Sequence, residues 1–366
     1  MTCQHSMTGP ATSLLLIFLT RPAAGFSAMP FCRPNPASVS DFEEPAAIAA
    51  AAKVTSAALT LPASLADGPI ESSFISTGVD PQPGVPPIIL LHSFDSSCLE
   101  YRRVLPLLAE KNLEAYALDI LGWGFSDTSN ARGVSVEAKR AHLFAFVEQH
   151  LKGRPAILVG SSLGAATIID FVASYASSAE GVVLCDPQAL IDGTPPVPSP
   201  LARGGVRLLK SWPLRALGQK IAYEDLGRCD TDDAIRIGRV HCERERWEDD
   251  AVDWLLGGGY SVSSLLPTLR DTRCLILWGR QDRVLPPQDN VPTFLRQLPS
   301  ADFRWVEQCG HVRRGWSRSL YSSRLLLPTA WVASPAAFLP LLLLPLIGDS
   351  RLACAGASPR TASSDR

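Results

Sequence analysis

The sequence predicts an α/β fold with a mostly parallel sheet and helices on both faces, and three observations support this. Apolar runs of strand length alternate with stretches of helical pattern between about residues 74 and 311. The runs are continuously apolar, which is typical of strands buried on both faces. The alternation stops at about 187–267, where the chain becomes Pro-rich and then helical. We therefore expect a helical cap inserted after the sixth strand.

The predicted elements follow the order of a parallel sheet with right-handed crossovers. Prolines bound the first apolar run, and Leu105, Leu108 and Ala109 share one face of the next helix. In chain order the expected elements are strand 86–91, helix 100–111, strand 114–118, helix 136–151, strand 156–159, helix 163–176, strand 181–185, strand 274–278, helix 292–298 and strand 303–306.

Length and composition set the class of protein. With 366 residues, 46% apolar and 19% charged, the chain has room for one large globular domain with non-globular ends. A formal net charge of -2 gives no reason to expect a nucleic-acid partner. The nine cysteines include no C-x-x-C pair, so we expect mostly buried thiols and neither a metal nor another cofactor.

The amino-terminal segment, residues 1–40, is interpreted as a targeting leader. An apolar run at 13–20 has the size of a signal h-region, small residues follow it, and no Asp, Glu or Lys occurs before Asp41. This pattern resembles the bipartite leaders of algae with secondary plastids, which implies a plastid (chloroplast) location. A plain secretory signal is the alternative. Residues 41–73 are Ala-rich and are interpreted as a spacer before a domain at 74–311.

The carboxyl-terminal segment, residues 312–366, has low complexity. Residues 325–347 are uncharged and long enough to span a bilayer, but four prolines would break or kink such a helix. Our hypothesis is that this tail is an artefact of the gene model, such as a translated intron.

The motif that carries chemistry is Gly160-Ser161-Ser162-Leu163-Gly164. A G-x-S-x-G motif indicates a nucleophile when a strand precedes it and a helix follows, because the tight turn raises the serine above the sheet edge. Both are predicted here, so Ser162 is the expected nucleophile, with Ser161 in a structural role. The alternative is a Gly/Ser helix entry without chemistry.

A nucleophilic serine needs a base and a carboxylate that orients the base. In a fold with this elbow the chain order is serine, acid, histidine. Asp282 follows the strand at 274–278, and His311 is the only histidine after it. We therefore predict a triad of Ser162, Asp282 and His311, with Asp186 as the alternative acid. The competing interpretation is that Asp282 and His311 are ordinary loop residues.

The oxyanion hole requires two backbone N–H groups. We expect one from Leu163 and the other from Phe94, in the loop after the first predicted strand. Neighbouring His92 is expected to brace that loop. Asp119 begins the glycine-containing segment 119–126 and is expected to hold it together by hydrogen bonds to its backbone.

From about Phe74 to His311, these blocks resemble the α/β-hydrolase superfamily, and more narrowly a plastid branch that includes chlorophyll dephytylase. Residues 92–100, 119–127 and 162–166 carry the resemblance, which continues in the cap at 208–211, 238–242 and 258–264. It implies hydrolysis of a hydrophobic small-molecule ester, the phytyl ester of chlorophyll, to chlorophyllide and phytol. A peripheral contact with the thylakoid membrane is a further expectation.

Two departures from this pattern bear on function. Ser93 stands where relatives usually carry Gly, and a positive φ there would cost about 1 kcal/mol. After His311 the expected closing helix is replaced by the low-complexity tail. The alternatives are therefore a general carboxylesterase or lipase-like enzyme, or a non-catalytic interaction protein. The cap aromatics expected to line a channel for the substrate are Trp212, Tyr223, Trp247, Trp254 and Tyr260.

Overall fold

A computed structural model describes residues 41–193, 198–222 and 231–311 of the chain. The predicted leader, the low-complexity tail and Tyr223 of the expected channel lie outside these residues.

Within the described ranges eight strands form one sheet, and the predicted fold class is confirmed. Their spatial order is first, second, fourth, third, fifth, sixth, seventh, eighth, with the second strand antiparallel to both of its neighbours and all the others parallel. The strands are β1 Thr55–Leu59, β2 Ile70–Ser76, β3 Ile88–Leu91, β4 Ala115–Leu118, β5 Ala156–Ser161, β6 Ala179–Cys185, β7 Cys274–Gly279 and β8 Asp302–Val306.

One helix precedes β1 and the others lie between later strands, and the cap follows β6, the sixth strand, as predicted. Short 3₁₀ turns at Cys98–Tyr101, Val240–Glu243 and Ser263–Leu269 supplement them. The α-helices are α1 Pro45–Ala51, α2 Val104–Glu110, α3 Val136–Ala145, α4 Leu163–Tyr175, α5 Ser199–Leu209, α6 Trp212–Ala222, α7 Thr231–Ile237, α8 Trp247–Leu256 and α9 Pro287–Gln297.

The sheet separates two hydrophobic cores. In β3, Ile89 and Leu91 join the core that includes α3, α4 and α9, whereas Ile88 and Leu90 join the core on the α2 side. Successive side chains of a strand point to opposite faces, so a strand covered on both faces must be apolar throughout. This is why the central strands show no polar alternation in the sequence.

The predicted Ala-rich spacer at 41–73 is wrong, because this segment is part of the folded domain. It contains α1 and the antiparallel pair β1 and β2, which extends the sheet at one edge. Only Leu59 of β1 is buried, so this edge strand carries almost no hydrophobic signal. Glu44, just before α1, anchors the segment by pairing with Arg102 and Arg103 at 2.8 and 2.6 Å.

Five of the nine cysteines fall within the described residues, and all five are buried thiols outside any disulfide, as predicted: Cys98, Cys185, Cys242, Cys274 and Cys309. Among the helices of the described ranges, none is long and apolar enough to cross a membrane.

Candidate active site

The turn between β5 and α4 carries Ser162 at the carboxyl edge of the sheet. Its backbone has φ 51° and ψ −108°, a conformation that costs a non-glycine residue about 1–3 kcal/mol. Two glycines make this turn sterically feasible. A Cβ on Gly160 would run into the backbone of Gly164, and a Cβ on Gly164 would run into the carbonyl oxygen of Leu91. The strained turn therefore depends on the small residues that predicted it.

Three predicted residues meet at this turn. The Ser162 hydroxyl donates to His311 Nε2 at 2.8 Å, and His311 Nδ1 donates to Asp282 Oδ2 at 2.8 Å. The other Asp282 oxygen accepts the backbone N–H groups of Val284 and Leu285, both at 2.8 Å. The carboxylate is thus held from both sides, which fixes the orientation of the imidazole.

The electrostatics of the site favour a histidine that binds a proton readily. Burial would lower the pKa of His311, but the negative charge of Asp282 and its hydrogen bond outweigh this effect. Asp186 and Glu100 add smaller contributions of the same sign, and the pKa of His311 is raised above its ordinary value. A histidine of this kind can accept a proton from a hydroxyl and return it to a leaving group.

Asp186, the alternative acid, lies near this cluster without taking the position of Asp282. It is buried, has φ 44°, and its Oδ1 accepts the backbone N–H of Gly279 at 2.7 Å. His311 Nδ1 donates its hydrogen bond to Asp282 instead.

The predicted oxyanion donors occupy suitable elements. Leu163 opens α4, and the first N–H groups of a helix have no acceptor within it. The loop that carries Phe94 follows β3, which pairs with β5 so that Leu91 lies beside Gly160. The backbones of Leu91 and His92 also lie against Gly164. Both donors therefore remain predictions, on segments that flank Ser162.

The expected strain at Ser93 does not occur. The positive φ in this loop belongs to Asp95, at 56°, so a glycine is not needed at position 93. Instead, the Ser93 hydroxyl and backbone N–H both donate to Glu100 Oε2, at 2.6 and 3.0 Å. Sequence reasoning missed this role of Glu100, because a carboxylate seven residues downstream has no recognisable motif.

The two predicted bracing residues are confirmed. His92 Nε2 accepts the backbone N–H of Ile120 at 3.0 Å, and burial lowers the pKa of His92 to about 4. Asp119 accepts the backbone N–H groups of Cys98 and Phe125 at 2.6 and 2.9 Å. These bonds tie the loops after β3 and β4 together beside Ser162.

A narrow cleft separates the cap from the body next to Phe94. Of the expected channel aromatics, Trp247 and Trp254 line it, together with Trp123 of the body. Its free volume is about 30 Å³, roughly the share of one water molecule in the liquid. Tyr260 instead packs in the main core, 5.2 Å from the Trp254 ring centre.

The remaining expected aromatic, Trp212, lies on the cap helix α6, and its ring is 5.9 Å from the guanidinium of Arg239. It is absent from the residues that line the cleft within the described ranges.

A larger cavity, of about 510 Å³, lies at the opposite edge of the sheet. Its lining includes Pro87, Pro155 and Arg273, which directly precede β3, β5 and β7. Parallel α/β sheets bind ligands beyond the carboxyl ends of their strands. The narrow cleft includes Phe94 and Trp123, in the loops that follow β3 and β4, and is therefore at the relevant edge of the sheet.

The fold and the elbow together define a hydrolase of the α/β class. The chain belongs to the α/β-hydrolase family, whose model matches residues 88–319. It is 37% identical over 283 residues to the alpha/beta hydrolase domain-containing protein VTE7 of Arabidopsis thaliana. That alignment covers 76% of this chain and 84% of the relative.

Solved structures share the fold at lower identity. A "probable hydrolytic enzyme" from Pseudomonas aeruginosa has a TM-score of 0.60 at 19% identity, over 71% of this chain and 88% of that one. A thermophilic esterase from Thermogutta terrifontis has a TM-score of 0.52 at 24% identity, over 70% and 92% of the two chains. At these identities the similarity shows the fold alone.

Proposed function

We propose that this protein is a serine ester hydrolase with Ser162 as nucleophile, His311 as general base and Asp282 as the residue that orients His311. The supporting observation is the chain of hydrogen bonds from Ser162 through His311 to Asp282, built on a strained elbow. Strain is retained at functional sites when the surrounding structure holds it in place.

Acylation begins when Ser162 Oγ attacks the ester carbonyl carbon and its proton passes to His311 Nε2. The carbonyl oxygen becomes an oxyanion, which the N–H groups of Leu163 and Phe94 stabilise in this proposal. When the carbonyl re-forms, the bond to the alcohol oxygen breaks, and His311 donates its proton to that oxygen. The alcohol leaves, and the acyl group stays on Ser162.

Deacylation repeats these steps with water. The water oxygen attacks the acyl carbon while His311 takes a proton from the water. His311 then gives this proton to Ser162 Oγ as the bond from Ser162 to the acyl carbon breaks. The carboxylic acid is released, and the site regains its starting protonation state. Asp282 keeps its charge throughout and stabilises the imidazolium that forms in each half of the cycle.

The substrate in this proposal is a hydrophobic ester, most specifically the phytyl ester of chlorophyll. The aromatic lining of the cleft, with Trp123, Trp247 and Trp254, suits an apolar substrate. The resemblance of the loop and cap motifs to the branch that includes chlorophyll dephytylase supports the same substrate. Phytol would leave in the first half of the cycle and chlorophyllide in the second.

The closed cleft requires the cap to move when such a substrate binds. Its free volume of about 30 Å³ is far below the roughly 300–1,000 Å³ of ordinary ligand pockets. The plastid location, directed by a bipartite leader, and peripheral contact with the thylakoid membrane belong to the same proposal. A secretory location is the alternative.

The test is hydrolysis of purified chlorophyll a by the full chain, with phytol release measured by gas chromatography. Ser162→Ala should abolish release, whereas Ser161→Ala, one residue away in the same elbow, should retain it. Turnover of short p-nitrophenyl esters without turnover of chlorophyll would indicate a general esterase. Failure of a fluorophosphonate probe to label Ser162 in folded protein would instead indicate a non-catalytic interaction protein.

A further inference from the structure

The residue next to the proposed oxyanion donor is held by the cap. Asp95 follows Phe94 in the loop after β3, and its carboxylate reaches two cap residues. Arg215 Nη1, on α6, lies 2.9 Å from Asp95 Oδ2, and His241 Nε2 lies 2.6 Å from Asp95 Oδ1. Arg215 and His241 are almost fully buried, so these contacts are shielded from solvent.

The charges in this cluster make the contact strong. Burial alone would raise the pKa of Asp95, but Arg215 and His241 outweigh it and lower the pKa to about 2. Burial lowers the pKa of His241, so Arg215 supplies the permanent positive charge. Hydrogen bonds that involve a charged group are shorter and stronger than neutral ones.

The backbone of Asp95 is strained and lies against the cap. Its φ of 56° is unfavourable for a residue other than glycine, although Asp and Asn tolerate it best. The cap backbone also lies close, because a Cβ on Gly238 would be 3.3 Å from the Asp95 carbonyl oxygen. The cap thus holds Asp95 in one orientation, and Asp95 restrains the carboxyl side of Phe94, whose own N–H lies in the peptide unit between Ser93 and Phe94.

We propose that Asp95 is a positioning residue that couples the oxyanion hole to the cap, so that Phe94 N–H faces Ser162 only while Arg215 and His241 hold Asp95. This proposal rests on the proposed function, because it concerns the oxyanion hole of the same hydrolase. A cap that opens to admit substrate would loosen the hole, and its closure over the substrate would restore it. The enzyme would therefore reach full activity only with the cap closed.

A second attachment of the cap provides a matched control. Arg246 donates to the carbonyl oxygens of Thr128, Ser129 and Ala131 at 2.8–3.1 Å, and all three residues lie in the loop after β4. Arg246→Gln therefore weakens the seating of the cap without removing the contact at Asp95. If general loosening of the cap were the cause of lost activity, substitutions at Asp95 and at Arg246 would lower activity equally.

The test compares the full chain with its Asp95→Asn and Arg246→Gln variants on a p-nitrophenyl ester and on a fluorophosphonate, which loses fluoride as it bonds to Ser162 Oγ. Misplacing or losing an oxyanion donor costs on the order of 10- to 1,000-fold in rate, so we expect Asp95→Asn to lower kcat at least tenfold with little change in KM. The rate of phosphonylation should fall by a similar factor. Arg246→Gln should leave both rates within about twofold of the unaltered chain.

A double variant and a substitute keep the test decisive. Asp95→Asn combined with Arg215→Gln should lose no more activity than the worse single variant, because both remove one contact. If Asp95→Asn does not fold, His241→Gln is measured in its place and should show the same loss of kcat.

Three results would overturn the proposal: unchanged rates in folded Asp95→Asn, an equal loss in Arg246→Gln, or additive losses in the double variant. Absence of labelling in the unaltered chain is a separate outcome, which refutes the proposed hydrolase function itself and this inference with it.

Discussion

Replacing Asp282 with Asn would change the position of one proton in the site and leave its shape nearly intact. Two backbone donors, Val284 N–H and Leu285 N–H, point at Asp282 Oδ1. They need an acceptor, so the amide oxygen of Asn would face them and its NH₂ group would face His311 Nδ1. That nitrogen must then accept a hydrogen bond, which places the imidazole proton on Nε2.

A proton on Nε2 removes the acceptor that Ser162 needs. The same substitution also removes the charge that stabilises the imidazolium, the largest of the effects that raise the pKa of His311. A wrong tautomer in a comparable triad lowers kcat by about 10⁴-fold, which corresponds to about 5.5 kcal/mol of transition-state stabilisation. We expect a loss of this order with little change in KM.

The assay is steady-state hydrolysis of a p-nitrophenyl ester by Asp282→Asn, with Asp186→Asn as the matched control. Asp186 is also buried near His311 but hydrogen-bonds Gly279, so its substitution should cost far less. The reasoning is refuted if Asp282→Asn keeps more than about a tenth of the activity, since a displaced tautomer cannot be that active. Inactivity of Asp186→Asn in the same experiment would assign the acid role to Asp186.

Three further predictions concern pH and packing. His311 must be neutral to act as base and its pKa is raised, so kcat/KM should rise with pH along a limb centred above pH 6.5; a lower midpoint would contradict this. Gly164→Ala should lower the free energy of unfolding, measured in urea, by about 1–3 kcal/mol or more, because the Cβ of the alanine would collide with the Leu91 carbonyl oxygen. In the control Gly204→Ala the added Cβ would meet open space, so the free energy of unfolding should rise by up to about 1 kcal/mol. Equal changes in the free energy of unfolding of the two variants would refute the steric argument. Burial lowers the pKa of Lys139 to about 7, so the unfolded chain binds more protons above that pH. Thermal stability should therefore rise between about pH 7 and 10. The Lys139→Met variant, measured at pH 7 and 9, should lack this rise. An equal rise in the variant would contradict the assignment of the effect to Lys139.

Much of the site could be predicted from the sequence because each of its residues follows a strand. Ser162 follows β5, and Asp282 and His311 lie in the loops after β7 and β8. The carboxyl ends of parallel strands share one edge of a sheet, so strand prediction already places these side chains near one another. Chain order then separates base from acid.

The edge of the sheet was not predictable in the same way. The strand β1 exposes most of its residues, and α1 presents mainly alanines, so neither has a clear hydrophobic period. Their positions depend on backbone pairing with β2 and on the bonds from Glu44 to Arg102 and Arg103. Such long-range pairings leave no local pattern.

The sequence by itself determined the fold class, the position of the cap and the residues expected to perform the chemistry. Buried strands and their ends can be recognised from continuous apolar runs and the residues that follow them. Only the tertiary structure decided that Asp282, rather than Asp186, bonds His311, and that the positive φ lies at Asp95, not Ser93. It also joined Asp95 to His241 across 146 residues. The physical reason is that hydrogen-bond partners are selected by distance and direction in three dimensions, which residue spacing along the chain does not encode.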